Sequence, residues 1–213
     1  MIVLIGSQKC GCGKSTLCVN IAAELVRQKK DVILVDSDRQ GTSANWISDR
    51  NKQLKTPNIH CIQKFDNIRD TLLDLNKRYE YVMVDTAGRD SRELRTGMTT
   101  SDILLVPFRP SQPDLDTLPR LVEIMMEAKD INPKLKAIAI LTLAPTNPII
   151  NEIQEAKEYL KDYPELFLMN TVIRDRKVYR DCMPEGKGVV EMDNLKARGE
   201  IQCLVKEILH GKA

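Results

Sequence analysis

Apolar and polar positions along the 213-residue chain change period again and again. Short, β-branched apolar runs alternate with longer stretches in which apolar residues recur every three to four positions. The first kind predicts strands at Ile2–Ile5, Val32–Val35, Tyr81–Val84, Ile103–Val106 (ending at Pro107), Ala137–Leu141 and Leu166–Met169. The second predicts helices over Ser15–Arg27, Ser43–Arg50, Asn67–Arg78, Leu115–Lys129, Asn151–Leu160 and Leu195–Leu209. Leu17, Ile21, Leu25 and Val26 form the apolar face of the first helix, and Ile201, Leu204, Val205 and Ile208 that of the last. Such alternation predicts an α/β fold, a mostly parallel twisted sheet with helices on both faces. No repeat or linker interrupts it, so residues 1–213 are expected to form one domain.

Composition narrows the choice of partner more than the choice of fold. The chain is 42% hydrophobic and 29% charged, as a globular protein should be. A net charge of +2 demands no nucleic acid, and 4% aromatic residues argue against a surface that stacks unpaired bases. The six cysteines lack the spacing of a disulfide framework. No stretch approaches the roughly 20 apolar residues that span a bilayer, and the apolar N-terminal run has no cleavage signal. A reducing cytoplasm is the expected location.

Chemistry concentrates where predicted strands end, the usual ligand edge of an open α/β sheet. Between the first strand and the first helix lies Gln8–Thr16, QKCGCGKST. Backbone N–H groups in such a loop and at the helix N-terminus surround phosphates, while Lys14 neutralises their charge and Ser15 can offer its hydroxyl to Mg2+. The usual phosphate-loop pattern has glycine five residues before Gly13, where this chain has Gln8. Cys10 and Cys12 read either as small residues within the loop or as metal or redox ligands. Neither His60 nor Cys61 is an obvious second half of a metal site, and redox pairs usually have two residues between their cysteines. If Cys10 had to adopt a positive φ, it would carry a steric cost that glycine avoids.

QKCGCGKST resembles the deviant Walker A loop of ParA/MinD-type ATPases, written xKGGxGK[ST], with Cys10 in place of a usual glycine. The resemblance implies a three-layer P-loop NTPase fold, ATP and Mg2+ as cofactors, and a cradle formed by Lys9, Cys10, Gly11, Cys12, Gly13, Lys14, Ser15 and Thr16. It also implies that Lys9 reaches the nucleotide of a second copy across a homodimer that sandwiches ATP.

Two carboxylate segments extend the likeness. VDSDRQG, Val35–Gly41, resembles the family's DxDPQG, with Arg39 in place of proline. Carried over, Asp38 positions the attacking water and Asp36 lies near the Mg2+ shell. YVMVDTAG, Tyr81–Gly88, ends an apolar strand in Asp85 as a Walker B segment does, which makes Asp85 a partner for Ser15 or a metal-bound water. Further along, RPSQPDLDTL at Arg109–Leu118 looks like small plasmid ParA proteins. Asp114 and Asp116 read as dimer-interface residues or as acids favoured at a helix N-terminus. The resemblance makes Thr142 and Arg174 candidate base or ribose neighbours.

What the family implies beyond ATP is a cycle on DNA. ParA proteins bind DNA without sequence preference as ATP-bound dimers, and a ParB-like or centromere-binding adaptor stimulates hydrolysis. The expectation is therefore a nucleoid-associated partition ATPase, with Arg174, Arg176, Lys177, Arg180, Lys187, Lys196 and Arg198 as the candidate basic surface. Leu195–Leu209 is expected to pack on the sheet rather than to anchor in a membrane as a MinD tail does. The alternatives are an ATPase that positions a non-DNA cargo, a membrane-bound MinD-like regulator, and a metabolic or metal-handling ATPase on the same scaffold.

Overall fold

The computed structural model describes residues 1–53, 56–147 and 151–210. Seven strands, β1 (Ile2–Ile5), β2 (Val32–Ser37), β3 (His60–Gln63), β4 (Tyr81–Thr86), β5 (Ile103–Phe108), β6 (Lys136–Ala144) and β7 (Phe167–Arg174), form one sheet in the order 3-2-4-1-5-6-7. Every pairing is parallel. The helices are α1 (Lys14–Arg27), α2 (Thr42–Asn51), α3 (Arg69–Leu75), α4 (Arg92–Met98), α5 (Gln112–Leu115), α6 (Leu118–Ile131), α7 (Glu152–Tyr159), α8 (Lys177–Asp181) and α9 (Leu195–His210).

The period-2 alternation of the strands sorts the core into two layers. Val3, Ile5, Leu34, Met83 and Leu105 face α1, α2 and α9, where Leu17, Ile21, Trp46, Ile201 and Leu204 meet them. Ile2, Leu4, Val35, Val84 and Leu104 face α3, α4, α6 and α7 through Leu72, Leu94, Leu121, Met125 and Ala156. The predicted apolar stripe of the last helix is thus buried on the sheet. Its polar side does something further: Glu207 accepts from the Asn170 N–H (3.0 Å) and the Thr171 N–H (2.9 Å) of β7. A bulge between Leu168 and Val172 of β7, the last strand, turns both of these successive N–H groups away from β6, and α9 covers them.

Several elements differ from the sequence reading. Pro107 lies within β5 and does not end it. The Leu105 carbonyl accepts from Gly6 N, so odd-numbered residues of β5 point toward β1, and β1 stops at Ile5. The missing N–H of Pro107 therefore falls where no strand needs it. The helix expected over Leu115–Lys129 starts at Leu118, and the separate short helix α5 ends at Leu115, because Pro119 has no N–H to give the Leu115 carbonyl. Strand β3 and helices α4 and α8 are short elements that the hydrophobic period does not reveal.

Candidate functional site

The carboxyl end of β1 leads into a loop that closes over the N-terminus of α1. Its two positive-φ residues are Gly11 (77°) and Gly13 (88°), while Cys10 keeps an ordinary negative φ. The steric cost raised for Cys10 does not arise, because glycine stands at each position that needs the left-handed region. Within the loop, Ser7 Oγ donates to the Lys9 carbonyl (2.9 Å), and Lys14 Nζ donates to the same oxygen (2.9 Å). Cys12 is buried with its Sγ 3.1 Å from Ser7 Oγ, and the exposed Cys10 thiol lies 3.5 Å from the Gly88 carbonyl. Gly88 sits so close beneath the loop that a Cβ there would lie 2.5 Å from the Lys9 oxygen and 2.6 Å from Lys14 Nζ. Lys9 extends toward the Pro113 carbonyl (3.5 Å).

Beside this loop the ends of β2 and β4 bring two fully buried carboxylates together. Asp36 and Asp85 are register partners on neighbouring strands. Asp36 accepts from Asp38 N (3.0 Å) and Ala44 N (2.8 Å), which fixes the turn into α2. Asp85 accepts from Ser43 Oγ (2.7 Å) through one oxygen, and its other oxygen, Oδ1, is buried without a partner. Burial lifts the Asp85 carboxyl to about 7, against the opposing effect of Ser43, Ser15 and Lys14. Burial also raises Asp36, opposed by its backbone donors. A divalent cation suits these groups. Hard oxygen donors are what Mg2+ takes, a cation would favour the ionised carboxyl, and Asp85 Oδ1 has a lone pair to give. Asp38 is half-exposed, accepts from Gln40 N (3.0 Å), and lines one cleft with Gly11, Lys14, Ser15, Thr16 and Gly88.

A second cleft lies on the far side of Gly13 and Thr16. Thr142, Arg174 and Tyr179 line it, so both candidate base neighbours stand beside the loop. Thr142 is tied more closely than expected, since its hydroxyl donates to the Cys12 carbonyl (2.7 Å) and is 3.2 Å from that of Phe108. Tyr179 OH donates to Glu200 (3.0 Å), which also pairs with Arg176 (2.7 Å).

Sequence reasoning missed three contributors: Ser43, Gly88 and Arg109. Arg109 Nε donates to the Gly11 carbonyl at 3.1 Å, and its Nη2 approaches the same oxygen. The TAG that follows Asp85 was a signal for Gly88, and the TS after Gly41 for Ser43. Nothing local marks Arg109. Asp114 and Asp116 serve local turns, Asp114 through Arg109 N and Asp116 through Gln112 Nε2 (2.6 Å). Of the basic residues after β7, Lys177, Arg180 and Lys187 pair with Asp181, Asp175 and Glu185 at 2.8, 2.6 and 2.8 Å. Among the described residues, no helix is long and apolar enough to cross a membrane.

An all-parallel sheet with a glycine loop after its central strand β1, and acidic ends on β4 beside it and on β2 beyond β4, defines a P-loop NTPase of the ParA/MinD type. The profile of the family described as ATPase MipZ matches residues 1–132, and the chain belongs to that family. It is 29% identical over 211 residues to maintenance of carboxysome distribution protein A of Halothiobacillus neapolitanus, covering 96% of this chain and 94% of that one. Apo McdA of Cyanothece superimposes with a TM-score of 0.78 at 16% identity over 98% of both chains. A Cyanothece McdA–ATP complex gives 0.72 at 16% identity over 100% of this chain and 97% of that one. At such identities these structures speak for the fold alone.

Proposed function

We propose that this chain is a Mg-ATP-dependent, dimerising ATPase that distributes a cargo over DNA, with residues 1–213 acting as one ParA-like unit. The observation that carries the reading is the buried, unpartnered Oδ1 of Asp85 beneath the loop that holds Lys14. An orphaned carboxylate oxygen costs the fold free energy and is best understood as one awaiting a cation.

In this reading the N–H groups from Cys10 to Thr16 receive the phosphates, and Lys14 leaves the Lys9 carbonyl to neutralise their charge. Lys9 of a second copy adds a cation across the sandwich. Ser15, Asp85 and Asp36 hold Mg2+, which when bound neutralises charge on the phosphate oxygens. Asp38 orients the attacking water, and Thr142 and Arg174 flank the base. Phosphoryl transfer asks little of a protein beyond this positioning and neutralisation. ATP stabilises the dimer and hence DNA binding; hydrolysis, promoted by an adaptor, releases both. The chain would accordingly work over the nucleoid in the cytoplasm.

The expected cargo is a replicon, delivered by a centromere-binding adaptor. A protein-built cargo is the second reading, favoured by the full-length likeness to maintenance of carboxysome distribution protein A. Retention on random-sequence DNA with ATP, with ADP and without nucleotide tests the shared part, alongside Lys9→Ala. Retention with ATP only, lost in Lys9→Ala and fading with salt, is the expected result. Retention indifferent to nucleotide would end this reading. Plasmid loss in a deletion strain, set against mislocalised protein assemblies, separates the two cargoes.

A further inference from the structure

A concavity of N–H groups attracts an anion only while the carbonyls between them are turned elsewhere. In this loop four of those carbonyls have donors. Gly13 O accepts from Leu17 N within α1 (2.8 Å), and Lys9 O accepts from Ser7 and Lys14. The other two are held from a distance. Gly11 O receives the Arg109 guanidinium and Cys12 O receives the Thr142 hydroxyl.

Both distant donors stand on rigid supports at the ends of β5 and β6. Thr142 is 2% exposed, and its hydroxyl also touches the last residue of β5. Arg109 follows that residue directly, with its backbone N–H fixed by Asp114. Among the described residues no carboxylate pairs with Arg109, and its guanidinium donates to a neutral peptide oxygen. Gly11 eases the approach, for a Cβ there would lie 3.3 Å from Arg109 Nη2, closer than an ordinary contact.

We propose that Arg109 and Thr142 are positioning residues of the phosphate loop. They hold the Gly11 and Cys12 carbonyls outward, so the N–H groups of the loop are aimed before a phosphate arrives. The proposal rests on the nucleotide reading given above. Pre-aimed donors spare the binding step the cost of ordering the loop, and the benefit is the same for any ligand whose β-phosphate enters it. A role on the γ-phosphate would favour ATP alone.

Titration of fluorescent ATP and ADP analogues into wild type, Arg109→Ala, Arg109→Lys, Thr142→Val and Thr142→Ser tests this, with thermal unfolding of each. Arg109→Ala and Thr142→Val are expected to weaken both nucleotides by the same factor, about tenfold each, with the melting temperature unchanged in Arg109→Ala and lowered in Thr142→Val, which leaves the buried Cys12 carbonyl without its donor. Thr142→Ser, which keeps the hydroxyl, should restore most of the affinity, and Arg109→Lys part of it. Hydrogen exchange of the loop amides should quicken in the two apolar variants without nucleotide. Wild type that binds while the variants match it would overturn this inference alone, as would a loss confined to ATP. Wild type that binds neither analogue would overturn the nucleotide reading as well.

Discussion

Two charged regions flank the same helix N-terminus and are built on opposite plans. Under the phosphate loop, Asp85 Oδ1 and Ser37 Oγ are buried without partners, and Asp36 and Asp85 are adjacent like charges. Across the second cleft, Arg176, Lys177, Arg180 and Lys187 each have a carboxylate. Unpaired buried groups cost about 1–3 kcal/mol apiece, whereas exposed pairs contribute about 0–1 kcal/mol. The first region weakens the fold in a way that a cation and phosphates would relieve. The second is close to neutral with or without a ligand. A candidate site shows itself by polar groups left wanting, and a surface rich in charge says little until its pairing is known.

The comparison breaks most readily at Lys14. Lys14→Ala should lower ATP turnover by about a hundredfold or more with the melting temperature nearly unchanged, as phosphate release and a thermal scan will show. An active Lys14→Ala would remove the loop from the chemistry altogether. Asp85→Asn sharpens the same side in the opposite sense, losing Mg2+-dependent turnover while gaining stability. The folded-state value of about 7 exceeds the unfolded carboxyl value of about 4. The folded protein therefore holds the extra proton in that window, and its stability falls as pH rises through it. Melting in EDTA between pH 5 and 8 should show this decline, and Asp85→Asn should flatten it. A wild-type melting curve that rises with pH would contradict the strain assigned to Asp85.

Smaller effects come next. Gly88→Ala puts a methyl against the Lys9 carbonyl and Lys14 Nζ and should weaken nucleotide binding about tenfold by displacing them, measured by titration calorimetry. On the other region, Asp175→Asn with Asp181→Asn should raise ATP-dependent DNA affinity about threefold at low salt and not at high salt. No change would leave the segment after β7 outside the DNA surface. Cys10→Gly should alter turnover less than about twofold, since Cys10 occupies a backbone conformation open to any residue.

Local patterns made half of this legible beforehand. The strand, glycine loop and helix at Ile2–Arg27, and the acids Asp36, Asp38 and Asp85, announce themselves because neighbouring residues create them. Strand β3 (HCIQ) was invisible, being a four-residue border strand with its end residues exposed. Pro107 misled for a related reason, because only the register against β1 shows that its missing N–H is harmless. Arg109 lies 98 residues from the carbonyl it holds, and no window along the chain joins them. The same holds for Thr142, which a resemblance named as a base or ribose neighbour and whose bond to Cys12 no local pattern announces. The break between α5 and α6 follows from Pro119, which cannot donate to the Leu115 carbonyl, and a hydrophobic period carries no trace of that.

The clasp of Glu207 on β7 bears on how copies of the chain can accumulate. Templated growth by strand addition, the route to amyloid-like fibres, needs an open border at both ends of a sheet. At one end α9 covers β7 and places a carboxylate on its N–H groups. An incoming strand would first have to unseat a helix whose Ile201, Leu204 and Val205 are buried. The other border, β3, is four residues long. Two copies joined there would present only closed ends, so propagation would stop at a pair. Higher assemblies of this protein are then expected to be built through helices and loops, contacts that can be made and undone.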